Sequence, residues 1–188
     1  MDKPLEVMRP ELPSASQLLP YIEGIDDAGV YSNFGPLYTQ LACRFAEHFG
    51  VGREQVALIA NGTLALQAAV ETIGDIGDTW VLPNWTFVAS GQSVLAARRR
   101  IHFEDVDRDT WALAPKNHHF ARGHLVVAPF GSRPDLPAWS SVPGPKVFDA
   151  ASCFDACQGI GPDICDESMI MVSLHATKTL PAAEGAVL

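Results

Sequence analysis

Two kinds of segment alternate along most of this sequence, and the alternation restricts the folds that the chain can adopt. Short apolar runs rich in β-branched residues are separated by longer segments in which apolar residues recur at every third or fourth position. The first pattern is typical of buried β-strands, and the second is typical of amphipathic α-helices. We therefore predict an α/β protein with a mostly parallel sheet and helices on both faces.

Local signals for helix ends and turns set the boundaries of the predicted elements. Strands are predicted at 55–60, 79–83, 100–104, 125–129, 146–149 and 169–174. Helices are predicted at 36–49, 63–73 and 87–97. The segment 132–145 is rich in Pro and Ser, so we predict a loop there. Residues 185–188 look like the opening of another strand, which suggests a fragment of a longer protein.

Length and composition narrow the class of protein. With 188 residues and 47% hydrophobic residues, the chain is expected to fold as one globular domain. A net charge of −9 argues against a nucleic-acid partner, and the one basic run, 98–100, is predicted to be a solvated helix end. No signal peptide is apparent, and no stretch approaches the roughly 20 apolar residues of a membrane helix. We therefore expect a cytoplasmic protein without a membrane partner.

The cysteines and histidines do not form a recognisable metal site. The spacing of the cysteines matches neither a disulfide framework nor a zinc site, so we predict reduced, buried thiols. The histidines at 118, 119 and 124 are predicted to lie in loops or on the surface. The four cysteines are Cys43, Cys153, Cys157 and Cys165.

The residues that follow the predicted strands are the candidates for function, because ligands of open α/β sheets bind beyond the carboxyl ends of the strands. The first strand is followed by Gly62 and Thr63 at a helix start, and the second is followed by Trp85. Asp149 ends the fifth strand, and Lys178 follows the sixth. Together they offer an anion site, an aromatic plate, a carboxylate and an amine.

Pyridoxal 5'-phosphate requires these four groups. Its phosphate suits the N–H groups of a helix N-terminus, and its ring suits an aromatic side chain. A buried carboxylate keeps a proton on the pyridine nitrogen, and a lysine forms a Schiff base with the aldehyde. Each residue taken alone has an ordinary structural explanation, as a helix cap, a core tryptophan or a surface lysine. The hypothesis rests on their order and placement.

Five segments resemble the signature segments of the DegT/StrS family of pyridoxal-phosphate-dependent nucleotide-sugar aminotransferases, and they occur in the family's order. The most specific is Ser-Leu-His-Ala-Thr-Lys at 173–178. The others lie at 33–37, 61–66, 83–89 and 148–151. The resemblance implies an aspartate-aminotransferase-type (type I) fold, with residues 1–188 as the large cofactor-binding domain and without the small C-terminal domain. It also implies a homodimer whose active sites lie at the subunit interface.

The same resemblance implies a reaction and a role for each candidate residue. An amino group would move, usually from glutamate, to a keto sugar attached to a nucleotide. Trp85 would stack on the cofactor ring, Asp149 would pair with the pyridine nitrogen, and Lys178 would form the Schiff base. The phosphate contacts would come from Gly62, Thr63 and Ser173.

Two positions depart from the family pattern. Ser152 stands where the family commonly has Gln or His, so it would contact the cofactor near the ring hydroxyl with a shorter side chain. The turn at 183–186 reads Ala-Glu-Gly-Ala where the family usually has Gly-Glu-Gly-Gly.

Tyr31 and Asn33 precede the first predicted helix and could face the substrate, although a turn role is equally compatible with the sequence.

Three other functions are compatible with parts of the sequence. The sugar dehydratases of the same family carry His where this chain has Lys178. A truncated protein that binds a cofactor or a partner without turnover would also fit. A Rossmann oxidoreductase would need a G-x-G-x-x-G fingerprint, and the nearest match, Gly159-Ile160-Gly161, lacks the third glycine.

Overall fold

The computed structural model describes residues 9–32, 34–164 and 167–188. Its strands are β1 (Leu58–Ile59), β2 (Thr79–Pro83), β3 (Arg100–Glu104), β4 (Gly123–Val127), β5 (Lys146–Asp149), β6 (Ser168–Ser173) and β7 (Ala186–Val187). Its α-helices are α1 (Ala15–Ala28), α2 (Pro36–Phe49), α3 (Gly62–Ile73), α4 (Val88–Ala96) and α5 (Leu136–Ser140). Short 3₁₀ turns lie at Arg53–Gln55, Pro129–Gly131, Asp155–Cys157 and Gly161–Asp163.

The seven strands form one sheet in the order β1-β7-β6-β5-β4-β2-β3. Strands β2 to β6 run parallel to one another, and β7 is antiparallel to both strands beside it, β6 and β1. Asp149 lies opposite Val127 on β4 and Met171 on β6, and it ends β5, the middle strand of the seven. The carboxyl ends of the parallel strands therefore meet at one edge of the sheet.

Apolar side chains alternate between the two faces of the sheet, and helices cover both faces. Val81 and Phe148 pack in a cluster that includes α2 and α5. Trp80, Leu82 and Val147 pack on the opposite face with α3 and α4. The predicted mostly parallel sheet with helices on both faces is confirmed.

Helix ends follow the sequence signals closely. Asn61 caps α3 through its Oδ1, which accepts a hydrogen bond from the N–H of Leu64 at 2.9 Å. Helix α2 begins at Pro36 and ends before Gly50, whose φ of 72° is the left-handed conformation that glycine adopts at little cost. These local choices fix the bounds of α2 as predicted and the start of α3 to within one residue.

Two helices were not predicted. Helix α1 contains Pro20 and has no buried residue, so neither a clean helical pattern nor a core stripe marks it. Its one clear signal is the capping box formed by Ser14 and Gln17. Helix α5 interrupts the segment 132–145, whose other residues form a loop as predicted. Asp135 caps this helix by accepting a hydrogen bond from the N–H of Ala138 at 3.1 Å.

Two strand predictions had the wrong bounds: one was too long, and the other was displaced along the chain. The predicted strand at 55–60 is reduced to β1, because a 3₁₀ turn precedes it. The predicted strand at 125–129 is shifted to β4, which ends at Val127 before Pro129 opens another 3₁₀ turn. Proline has no N–H to donate to a neighbouring strand, which accounts for the early end.

Several polar predictions were also wrong. His118 and His124 are buried, and their rings share a hydrogen bond of 3.0 Å between Nδ1 and Nε2. Burial lowers the pKa of His124 to about 4, so it is neutral near pH 7. Cys43 is exposed, whereas Cys153 and Cys157 are buried as predicted. Cys165 lies outside the described residues.

Two kinds of feature are absent from the described residues. No group of three His, Cys, Asp or Glu side chains among them is arranged to hold a metal ion. None of the helices within these residues is long and apolar enough to span a membrane.

The basic run at 98–100 is not simply a solvated helix end. Arg98 and Arg100 are exposed, but Arg99 is buried. Its guanidinium donates hydrogen bonds to the carbonyl groups of Gly74 and Ala97, which are the C-terminal caps of α3 and α4. Arg99 therefore joins the ends of two helices on one face of the sheet.

We expect Arg99→Met to lower the free energy of unfolding by about 2–4 kcal/mol, because two hydrogen bonds from a charged donor are lost. The matched control is Arg100→Met, whose exposed side chain predicts a change within about 0.5 kcal/mol. Urea denaturation of both variants and the parent protein measures the difference. Equal losses in the two variants would contradict the bridging role.

Candidate functional site

A cavity of about 1050 Å³ opens at the carboxyl edge of the sheet. Its walls come from the ends of β4, β5 and β6, the start of α3, and the loop between β2 and α4. All seven residues predicted to contact a cofactor line this cavity. They are Gly62, Thr63, Trp85, Asp149, Ser152, Ser173 and Lys178.

The start of α3 forms one wall. Helix geometry leaves the first N–H groups without partners inside the helix, and the Asn61 side chain takes only that of Leu64. A Cβ on Gly62 would lie 3.2 Å from Met171 Sδ and 3.6 Å from Ser173 Cβ, so a larger residue here would require the Met171 thioether to shift by a few tenths of an ångström. The Ser173 hydroxyl accepts from the N–H of His175 at 3.3 Å and retains its own proton for donation.

Asp149 lies at the base of the cavity and is only 6% exposed. Its Oδ2 accepts a hydrogen bond from Ser90 Oγ at 2.7 Å, and its Oδ1 accepts one from the N–H of Ala151 at 3.2 Å. Burial raises the pKa of Asp149, while the hydrogen bonds from Ser90 and Ala151 and the charge of Lys178 act in the opposite direction. The site therefore holds a carboxylate that a buried cation would stabilise.

Lys178 lies in the loop after β6 and is partly buried. Its Nζ donates a hydrogen bond to Ser152 Oγ at 3.1 Å. Of the lysines in the described part of the chain, it is the only one that lines the cavity. Lys116 pairs with Glu104 at 3.0 Å, and Lys146 is buried at the amino end of β5. The candidate amine is thus distinguished by position.

Aromatic side chains form the open rim. Trp85 is half exposed, and its ring meets that of Trp111 edge to face at 5.1 Å between centroids. Phe87 and Phe130 also line the cavity and are 76% and 77% exposed. These rings leave apolar area uncovered beside the polar base of the site.

Sequence reasoning missed two groups at the site. Thr86 and Ser90 link the cavity wall to Asp149, and their i, i+4 spacing at a helix start is the only sequence signal for that link. His175 Nδ1 and Thr177 Oγ1 share a hydrogen bond of 2.9 Å within the loop that carries the candidate lysine. Glu184, from the unusual turn at 183–186, also lines the cavity.

Tyr31, one of the two candidate substrate residues near the start of α2, is not brought to this cavity. Tyr31 lines a separate cavity of about 480 Å³ between α1 and α2. Asn33 lies outside the described residues.

The residues present fit pyridoxal phosphate chemically. An anion can be bound at the start of α3 beside Ser173, and a flat ring can be placed against Trp85. The buried Asp149 carboxylate lacks a fully compensating positive charge, which a protonated pyridine nitrogen would supply. Lys178 provides an amine at the same cavity.

Comparisons with known proteins agree with this arrangement. Residues 14–188 match the model of the DegT/DnrJ/EryC1/StrS aminotransferase family. The chain is 28% identical over 194 residues to the dTDP-4-amino-4,6-dideoxy-D-glucose transaminase of Shigella dysenteriae, covering 98% of this chain and 52% of that relative. It is 30% identical over 154 residues to the dTDP-4-dehydro-2,3,6-trideoxy-D-glucose 4-aminotransferase of Saccharopolyspora spinosa, covering 80% of this chain and 37% of that relative.

A solved structure gives the same answer for the fold. The aminotransferase TlmJ from Streptoalloteichus hindustanus superposes with a TM-score of 0.77 at 28% identity, covering 97% of this chain and 52% of that one. The predicted aminotransferase-type fold is therefore confirmed. The chain spans about half the length of the Shigella relative and of TlmJ, and less of the Saccharopolyspora relative.

The buried carboxylate predicts a specific pH dependence. Because burial raises the pKa of Asp149 above its ordinary value of 3.8, the folded protein binds this proton more tightly than the unfolded chain. The charged group therefore costs stability, and the cost grows as the pH rises from 3.8 through the folded pKa. In cofactor-free protein, Asp149→Asn should be more stable than the parent at pH 8. The difference should shrink as the pH falls.

Thermal unfolding of both proteins between pH 4 and pH 8 measures this effect, with Asp27→Asn at an exposed position as a control whose difference should stay small. A stability difference between parent and Asp149→Asn that does not vary with pH would contradict the assignment.

Proposed function

Because the chain belongs to the DegT/DnrJ/EryC1/StrS aminotransferase family, we propose that residues 1–188 form the pyridoxal-phosphate-binding large domain of an aminotransferase that acts on nucleotide-linked keto sugars. The observation that carries the proposal is the convergence of seven candidate residues on one cavity, with Lys178 as its one lysine among the described residues. Lys178 shares one cavity with the buried Asp149 carboxylate and the start of α3, which is not the surroundings of a solvated surface lysine.

Each wall of the cavity would have a distinct task. When bound, pyridoxal phosphate supplies an aldehyde that takes up the amino group and a ring that accepts electrons. Gly62 and Thr63 would bind its phosphate through their N–H groups, and the Ser173 hydroxyl would donate to the same anion. Trp85 would hold the ring plane in place.

Asp149 and Lys178 would control the protons. A carboxylate beside the pyridine nitrogen keeps that nitrogen protonated, because the charged pair stabilises both partners in a buried place. The Lys178 amine would attach the cofactor and, when released, move a proton at the reacting carbon. Ser152, which accepts a hydrogen bond from Lys178 Nζ, would orient the amine and contact the cofactor near its ring hydroxyl.

The substrate class follows from the named relatives. Two of them carry names that describe aminotransfer on dTDP-linked sugars, so we propose a nucleotide-linked keto sugar as the amino acceptor. We propose glutamate as the donor and a cytoplasmic location, on the grounds of the sequence resemblance.

Two competing functions are less well supported. A dehydratase of this family would carry His in place of Lys178, whose amine lines the cavity here. A protein that binds the cofactor without turnover shares every contact described above, so only an assay separates it from an aminotransferase.

We expect borohydride to fix pyridoxal phosphate to Lys178 and the bound protein to absorb visible light as a protonated Schiff base does. Lys178→Ala should lose both signals and at least about 100-fold of the transamination rate, since it removes both the attachment point and the proton carrier. The matched control is Lys116→Ala, an exposed lysine outside the cavity, which should retain them. Peptide mapping that finds the reduced cofactor on Lys146 or Lys116 would overturn the assignment.

We also propose a homodimer. Large apolar side chains remain exposed around the mouth of the cavity, notably Leu64, Phe87, Val88 and Phe130. Several large exposed apolar side chains near one site are characteristic of a surface that a partner covers, and the family resemblance favours a second copy of the same chain. The shared interface would place the active site between subunits.

The prediction is that the full-length protein is a dimer in sedimentation velocity at assay concentration, and Phe130→Asp should shift the population toward monomer. Leu12→Asp, on an exposed apolar residue away from the cavity, is the control and should leave the dimer intact. A parent protein that sediments only as monomer would contradict this proposal without touching the cofactor assignment.

A further inference from the structure

Two hydroxyl groups connect the cavity wall to the buried carboxylate. Thr86, which lines the cavity, has its Oγ1 2.7 Å from Ser90 Oγ. Ser90 Oγ donates in turn to Asp149 Oδ2 at 2.7 Å. Ser90 is fully buried at 0% exposure, on the first turn of α4. A short chain of hydrogen bonds therefore crosses from α4 to the end of β5.

The direction of this chain follows from the protons available. A serine hydroxyl has one proton, and Ser90 uses it to donate to the carboxylate. Ser90 must then accept from Thr86, which makes Thr86 the donor at the outer end. If Asp149 were protonated on Oδ2, the carboxyl would donate and this polarity would reverse. The Ser90 hydrogen bond lowers the pKa of Asp149 and in this way favours the charged carboxylate.

The hydrogen-bond chain also leaves the Asp149 carboxylate able to accept a hydrogen bond from a group in the cavity. Ser90 occupies one lone pair of Oδ2, and the N–H of Ala151 occupies one of Oδ1. Each carboxylate oxygen can accept a second hydrogen bond, so a donor in the cavity still finds an acceptor. Two fixed donors on opposite oxygens also hold the plane of the carboxylate.

A second serine on the same helix shows that burial alone does not produce this contact. Ser93 is equally buried, but its Oγ donates to the backbone carbonyl of Ser90 at 2.8 Å. It satisfies its proton within the helix and makes no hydrogen bond with Asp149. Ser93 is therefore a matched comparison for the removal of a buried hydroxyl from α4.

We propose that Ser90, supported by Thr86, is a positioning residue that keeps Asp149 charged and oriented toward the cavity. The role in catalysis rests on the proposed function, because it requires the cofactor's pyridine nitrogen to meet Asp149. The effect on the carboxylate itself is a property of the cofactor-free protein. The two parts can be tested separately.

The charged and titratable groups around Asp149 define the expected shift. Lys178, from the loop after β6, lowers the pKa of Asp149, and burial raises it. Cys153 lies in the loop after β5. Burial, together with the negative charge of Asp149, raises the pKa of the Cys153 thiol to about 11, so this thiol is neutral near pH 7. Loss of the Ser90 hydrogen bond leaves burial less opposed, so the carboxyl should titrate at a higher pH.

The first experiment follows the Asp149 carboxyl by carbon-13 NMR in cofactor-free protein, with the signal assigned by its loss in Asp149→Asn. Ser90→Ala should move the titration midpoint to higher pH, and Ser90→Thr, which keeps the hydroxyl, should restore it. Ser93→Ala should leave the midpoint where it is in the parent. An unmoved midpoint in Ser90→Ala, or an equal shift in Ser93→Ala, would overturn the proposal.

Thr86→Val provides a second variant that leaves the buried serine in place. It removes the outer donor from a partly buried position, so the midpoint should move in the same direction by a smaller amount. If Ser90→Ala does not fold, Thr86→Val and Ser90→Thr decide the question. No shift in Thr86→Val would then overturn the proposed chain.

The second experiment measures binding of pyridoxal phosphate by fluorescence titration. Ser90→Ala should bind about 10-fold more weakly, the effect of losing one hydrogen bond to a charged group, with the largest difference at low pH. Ser93→Ala should bind as the parent does. A shifted carboxyl titration in a protein that does not bind the cofactor would refute the proposed function and leave the hydrogen-bond chain intact. Normal binding of pyridoxal phosphate together with an unmoved Asp149 titration in Ser90→Ala would refute the role of the hydrogen-bond chain and leave the proposed function intact.

Discussion

Parallel pairing of β4, β5 and β6 determines where the chemistry of this chain can occur. Each of these strands delivers its carboxyl end to the same edge, and the register places Asp149 between Val127 and Met171. Side chains far apart in the sequence are brought together there without any need for a specific contact between them. The helix that starts at Gly62 packs against β6 at the same edge, which adds backbone N–H groups to the assembly.

The cost of this arrangement is a buried carboxylate, and the surrounding structure only partly offsets it. Two hydrogen-bond donors and a nearby lysine oppose the effect of burial, yet the pKa of Asp149 remains raised. A protein optimised for stability alone would place an apolar residue at the end of a central strand. A functional site commonly keeps such a group because a ligand completes its electrostatic environment.

Sequence patterns predicted the parts of the fold in which local preference and burial agree. The predicted bounds of β2, β3, β5 and α2 match the structure, because each has a clear apolar pattern and a marked end. Helix α1 has no buried face, so no pattern reveals it. The buried state of Arg99 depends on carbonyls of two separate helix ends, which no local signal encodes.

The residues of the candidate site also fall into two groups, those that could be predicted from the sequence and those that could not. Residues that directly follow strands, such as Asp149 and Lys178, could be predicted because sheet topology places them. Ser90 could not, since its partner is distant in the sequence and the contact exists only after α4 packs on the sheet. Supporting residues such as Ser90 can be identified only from the three-dimensional structure. The residues that they support can be predicted from their position at the ends of strands.

The pairing of β1 with β7 has a consequence for how the chain folds. Among the described residues, β1 has β7 as its one neighbour in the sheet, and the N–H and carbonyl groups of Ala57 and Leu188 continue that pairing. The pairing joins two strands that are far apart in the sequence. Contacts of long sequence separation form slowly. On a ribosome, the parallel strands can assemble while β1 remains unpaired. The segment that precedes α3 would then be fixed after the parallel strands.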